Sequence, residues 1–292
     1  MSLMIANKDI KRIQGTEPEA ALERLHVVQF ERLDKLDDIE KAIEHQLRAF
    51  SFTPDDHPDF LDVHENLGQC YTCRFEHLGE LADLEKAIEH QSQVLTFTSH
   101  ERPDFYENLG ISYYRRFARL EEVNDLDKAI EHIYRAITLA SDDNSGLPGW
   151  LDNLGLSYTE RFQCLGEIND LIKAIECGSR ALVLTPSNHW DLPNQLGNLG
   201  TSYNIRFQCQ GELDDLEEAI QCESRAIALI PNSNPNLPDR FGNLGLLYSE
   251  RFECLGDLND LEKGPLMVSG ISTKGIRLTS KKQFNTNPVQ LR

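Results

Sequence analysis

The feature that most constrains this chain is a period. The tripeptide Asn-Leu-Gly begins at Asn66, Asn108, Asn153, Asn198 and Asn243, at intervals of 42, 45, 45 and 45 residues. A second mark, DLxKAI in its clearest copies, places an aspartate at Asp38, Asp83, Asp125, Asp170, Asp215 and Asp260. A phenylalanine stands eight residues before each, at Phe30, Phe75, Phe117, Phe162, Phe207 and Phe252. A length of 292 residues would suit one or two globular domains. A fixed period of this size points instead to an array of supersecondary units, each too small to bury a core alone.

The inside of a unit reads as two helices. From the third unit on, a proline lies seven residues before the LG glycine (Pro103, Pro148, Pro193, Pro238). There its missing N–H and preset φ suit the first helical position of a helix A. At 100° per residue Leu196, Leu199, Gly200, Tyr203 and Phe207 share one arc, the predicted buried stripe. Gly211 predicts the helix end. Helix B is expected to open on a capping box, Asp214 with Glu217, as with Asp37/Glu40 and Asn259/Glu262. Ala219 and Ala226, two turns apart, would let a neighbouring helix approach closely. Pro231, Pro186 and Pro54 mark the ends of their B helices.

Composition narrows the function classes. With 40% hydrophobic and 26% charged residues the chain is of the ordered, soluble kind. No stretch reaches signal-peptide or membrane-span length, so a cytoplasmic location is expected. The net charge of −19 argues against nucleic acid or an anionic membrane as a partner. That charge is uneven. Residues 264–292 contain no acidic residue and five basic ones (Lys274, Arg277, Lys281, Lys282, Arg292), so the tail carries +5 and the rest −24. Seven cysteines, an odd number, suggest reduced thiols. Most are repeat positions: Cys164, Cys209 and Cys254 are 45 residues apart, as are Cys177 and Cys222.

In the fifth unit the pattern Leu196, Leu199, Gly200, Tyr203, Ala219, Ala226, Pro231 resembles the tetratricopeptide repeat (TPR), over roughly residues 17–263. The Gly-to-Ala interval is seven residues longer than in the standard repeat, and the aromatic between the alanines is missing. Long variants of this kind resemble the repeats of kinesin light chain, and still more those of fungal proteins that carry a caspase-like CHAT domain. The resemblance implies an all-α, right-handed α-solenoid of about five and a half antiparallel helix pairs, acting as a protein-binding scaffold. Residues 1–16 are expected to be a flexible segment. The first unit is degenerate, with Glu23 and His26 where Gly and Tyr are due. The sixth runs on pattern to Lys263 and then becomes GPLMVSGISTKG. For residues 264–292 three readings stand: read-through of a splice junction, a basic tail that docks on the acidic repeats, or a disordered terminus.

Catalytic and metal motifs are tested and set aside. Cys70 and Cys73 form a CxxC, but inside helix A and without a second ligand pair. The column His45, His90, His132, Cys177, Cys222 belongs to successive repeats, whose helices lie roughly 8–10 Å apart, too far for donors around one zinc ion at about 2.0–2.3 Å. No phosphate-binding glycine loop, HExxH, EF-hand or GxSxG occurs. The chain is therefore expected to be no enzyme and to hold neither cofactor nor metal.

Two columns remain. Arg74, Arg116, Arg161, Arg206 and Arg251 precede the phenylalanines at the border of the buried arc, where they either pair with an acidic residue or a helix C-terminal carbonyl of the same or next unit or contact a partner's carboxylates. Asn66, Asn108, Asn153, Asn198 and Asn243 point almost directly away from their own stripe, and asparagine is a poor helix former. In tetratricopeptide superhelices that side of helix A lines the concave groove. In kinesin light chain and O-GlcNAc transferase an asparagine there grips a peptide main chain, so the resemblance implies peptide binding; the alternative is a strut between repeats. Partners are thus an extended peptide or a protein. A second copy could meet an uncovered last repeat, where Leu244, Leu247, Tyr248 and Phe252 lack a full helix B. A different class stays open, the regulatory or substrate-presenting part of a larger CHAT-type peptidase.

Overall fold

The computed structural model describes residues 36–260 apart from 55, 56, 58, 98–101 and 142. The first unit's helix A, the segment 1–16 and the tail 264–292 lie outside the described residues. Ten α-helices follow one another, with no strand among the described residues. The first, α1, is Leu36–Phe52, the helix B of the first unit. The second to fifth units are complete: α2 (Phe60–Leu78) with α3 (Leu81–Phe97), α4 (Pro103–Leu120) with α5 (Val123–Leu139), α6 (Leu147–Leu165) with α7 (Ile168–Leu184), and α8 (Leu192–Gln210) with α9 (Leu213–Leu229). Helix α10 (Leu237–Leu255) is the helix A of the sixth unit, and a further helical turn begins at residue 258.

The chain makes these elements for local reasons. Pro103 opens α4, and Pro148, Pro193 and Pro238 each take the second position of their helices. The A helices end on a left-handed residue, Gly79, Gly166, Gly211 or Gly256 (φ 69–74°), whose N–H returns to the carbonyl of the column phenylalanine at 2.7 Å. The third unit has Glu121 there, at φ 55°, in a region that costs a side chain energy.

Two of the predicted capping boxes, Asp214/Glu217 and Asp37/Glu40, do not form. Helix α9 starts at Leu213, its cap residue Glu212 is extended and makes no side-chain cap bond, and Asp214 is already the second helical residue. Asp37 likewise lies inside α1. In the sixth unit Asp257, two residues before Asn259, accepts the Asn259 N–H at 3.0 Å; Glu262 is outside the described residues. In the second to sixth units the third helical residue, the repeat aspartate, is instead engaged by the arginine column.

Packing joins each helix to the next. The LG glycine lies over its own helix B: a Cβ on Gly155 would come 3.1 Å from the Ala174 carbonyl, and one on Gly110 3.2 Å from that of Ala129. The paired alanines of helix B, such as Ala219 and Ala226, are fully buried. The core continues from B to the following A. Ile39 and Ile43 of α1 meet Val63, Leu67 and Tyr71 of α2, and Leu126, Ile130 and Ile133 of α5 meet Trp150, Leu151 and Leu154 of α6. The last stripe is not open: Leu244, Leu247 and Tyr248 are buried in one cluster with Phe207, Leu216 and Ile220, because helix A presents its stripe backward to the preceding pair. A helices of adjoining units also touch (α2 with α4, α4 with α6, α6 with α8), setting them on the crowded side of the stack.

Candidate functional site

Every arginine of the column makes the same clamp. Arg74, Arg116, Arg161, Arg206 and Arg251, near the ends of the A helices, each donate two hydrogen bonds to the aspartate nine residues on (Asp83, Asp125, Asp170, Asp215, Asp260), at 2.5–2.9 Å. These aspartates are at most 5% exposed and occupy the third position of helix B, where the helix dipole also favours an anion. The planar guanidinium fork matches a carboxylate in two places at once. Each arginine also lies over the tyrosine three residues before it, at 5.1–5.6 Å from the ring centre. The hydrogen bonds that the guanidinium groups donate to these aspartates hold the arginine pKa above its already high value. The constant spacing of nine between Arg and Asp was the sequence signal for this clamp.

Two clamps reach across units. Arg161 Nη1 donates to Asp127 at 2.8 Å, and Arg251 Nη1 to Glu217 at 2.8–2.9 Å. The acceptor is the residue two after the aspartate of the preceding unit. In the fourth unit that position is Ile172, 39% exposed, where a carboxylate would face Arg206.

The asparagines sit between neighbouring A helices. Asn66, Asn108, Asn153 and Asn198 are half-buried, and Asn243 is exposed. Asn198 donates to Asp152 Oδ2, on the preceding A helix, at 3.0 Å. The amides of the other four make no side-chain hydrogen bond within the described residues. Other ties also join neighbouring A helices: Thr159 shares a hydrogen bond with Ser202 at 2.9 Å, and Gln208 of α8 donates to Glu250 of α10 at 3.0 Å.

The residue before each asparagine, not singled out by sequence reasoning, gives this face its charge. It is Glu65, Glu107 and Asp152 in the second to fourth units, then Gly197 and Gly242. Burial pushes Glu107 up to about 7, with the Asp104 charge adding and Arg115 opposing. Burial also pushes Asp152 up to about 6, against the bond from Asn198. Glu160 and Glu250, lower on the A helices, are raised by burial too. At Gly197 the Arg240 guanidinium fills the space, donating to Glu223 and Asn194 at 3.3 and 3.2 Å.

The histidine column is accounted for by packing. His90 stacks on Tyr71 (centroids 5.8 Å apart, planes 5° apart) and His132 on Tyr113 (5.6 Å, 7°). Cys70 is buried and Cys73 half-buried, and both are thiols. Among the described residues no group of three or more His, Cys, Asp or Glu side chains is placed to hold a metal ion. None of the described helices is long and apolar enough to cross a membrane.

No protein-family model matches the chain, and no curated protein matches it. Solved structures do resemble it. The apo form of the quorum sensor NprR from B. thuringiensis superposes with a TM-score of 0.57 at 12% identity, over 92% of this chain and 71% of that one. The APC/C hetero-tetramer Cut9-Hcn1 gives 0.56 at 16% identity, over 92% and 43%. Pseudomonas aeruginosa pilF gives 0.54 at 14%, over 85% and 88%. At such identities the likeness is one of fold alone, and it agrees with the stacked helix pairs described above: an all-α solenoid of helix pairs.

Proposed function

We propose that this chain is a non-enzymatic interaction module whose A helices take an extended peptide, or an extended segment of a partner protein, with the asparagine column reading the main chain. The observation that carries the reading is the set of asparagine amides, one per unit, that make no side-chain hydrogen bond among the described residues, at Asn66, Asn108, Asn153 and Asn243. An amide offers both a donor and an acceptor, so it can pair with a peptide unit whatever its side chain. Units spaced on the order of 10 Å match about three residues of an extended chain at roughly 3.3 Å each. Asn198 is the exception, a strut to Asp152.

That difference supplies the test. A peptide selected from a random display library on the full chain is titrated against variants. If each contact contributes about 1 kcal/mol net, Asn108→Ala with Asn153→Ala weakens binding about 10- to 30-fold and leaves the melting temperature unchanged. Asn198→Ala instead lowers stability, because it removes a donor from a buried carboxylate. Unchanged affinity in the double variant, with a melting temperature lowered by many degrees, would sink the reading.

A further inference from the structure

The repeat supplies its own internal alignment: a residue that the fold demands returns every 45 positions, and one that does not return answers to something else. Trp190 does not return, since its equivalents 45 residues before and after are Ser145 and Pro235. Its side chain is 80% exposed, although an indole has a large apolar face that gains from being covered. Gly149 is a second departure, with Asn194 and Asp239 at the equivalent positions. A Cβ on Gly149 would meet nothing within 4 Å. Packing therefore does not require the glycine, and in the first turn of α6 it costs helix stability.

Both departures line one cleft, between the loop joining α5 to α6 and the loop joining α7 to α8, with a volume of about 540 Å³. That is a size suited to a ligand group. Its apolar wall is Pro148, Leu184, Pro186 and Trp190; Asp143 and Asp191 supply its charge, and none of its lining residues is Lys or Arg. His189 packs against the indole, with ring centroids 5.7 Å apart. The hydrogen in place of a side chain at residue 149 keeps the space open.

This combination selects a chemistry. An anionic group would meet two aspartates and no cation. A purely apolar group would cover the wall but desolvate the carboxylates without pairing them. A side chain with an aliphatic stem and a cationic head satisfies all three features, because the stem lies on the proline and leucine surface, the head sits over the indole, and its N–H groups reach the carboxylates. We propose that this cleft is a binding site for an arginine or lysine side chain of a partner protein segment. The site is separate from the asparagine column and does not depend on it.

The test follows the indole Nε1–H signal of Trp190 in the full chain, assigned by its loss in Trp190→Ala. The titrants are the blocked peptide Gly-Arg-Gly-Arg-Gly and its glutamate and leucine counterparts. A saturable shift with the arginine peptide alone is expected. Calorimetric titration should show affinity at least tenfold weaker in Trp190→Ala and about threefold weaker in Asp143→Asn. Both residues are exposed, so these variants keep the wild-type melting temperature. Gly149→Leu, which fills the cleft while favouring the helix, abolishes binding by a second route. Asn108→Ala with Asn153→Ala leaves it intact, which separates this site from the peptide-reading face. Equal binding of the leucine or glutamate peptide, or undiminished affinity in Trp190→Ala, overturns the assignment.

Discussion

Glu107 should destabilise the protein at neutral pH, and replacing it with glutamine should reveal by how much. Its carboxyl rises from 4.5 to about 7, first through burial between A helices and then through the Asp104 charge. A carboxyl whose folded pKa lies above its unfolded one favours folding only while it is protonated. That contribution is fully present below pH 4.5 and is lost as the pH rises through about 7. At about 1.4 kcal/mol for each pH unit the displacement corresponds to at most about 3.5 kcal/mol. Because Glu107 keeps some contact with water, we discount this to about 1–2 kcal/mol. Glutamine has the same shape and no charge. At pH 8, Glu107→Gln should therefore gain about 1–2 kcal/mol, or roughly 2–8 °C in melting temperature for a chain of this size. At pH 4.5 the gain should vanish. Thermal melts of both proteins at pH 4.5, 6 and 8 decide it. A gain independent of pH, or a loss at pH 8, would show that the carboxylate has a cationic partner or full hydration, and the argument from burial would fail.

The clamps and caps give further expectations. Asp170→Ala leaves the Arg161 guanidinium without its two bonds and should cost about 3 kcal/mol in urea unfolding; Arg161→Lys should recover little, since an ammonium cannot span both oxygens. Ile172→Glu restores the inter-unit acceptor opposite Arg206 and should raise stability by about 0.5 kcal/mol, a gain that disappears in an Arg206→Ala background. Glu121→Gly removes a side chain from the left-handed region and should stabilise by about 1 kcal/mol, whereas Gly166→Glu, the reverse change one unit on, should cost a similar amount in the same melts.

What the sequence made legible is what repeats within one unit. The proline starts, the glycine ends and the close approach of the LG glycine to helix B all follow from local chemistry that returns every 45 residues. The capping boxes misread Asp214 because its spacing to Glu217 fits a cap, while the neighbouring Asp215 is held by Arg206 from another helix. A helical wheel drawn for Asn198 alone shows it facing away from its stripe but cannot show Asp152, 46 residues back on the preceding A helix. Nor could it show that Leu244 and Tyr248 pack backward onto α8 and α9. Trp190 could have been noticed from sequence as an off-pattern indole, but its exposure and the cleft beside it depend on two loops from different units.

The central claim, that the asparagine column reads a peptide main chain, is tested most directly by altering the main chain of the ligand. A selected peptide is resynthesised with N-methyl groups at every third amide, in each of the three registers, and separately with its side chains scrambled. All are titrated by calorimetry against the full-length protein. The account predicts that one N-methyl register loses at least tenfold in affinity, corresponding to about 1.4 kcal/mol, while the scrambled peptides stay within a few-fold of the parent. Equal binding in all three registers, together with loss of binding on scrambling, would contradict it.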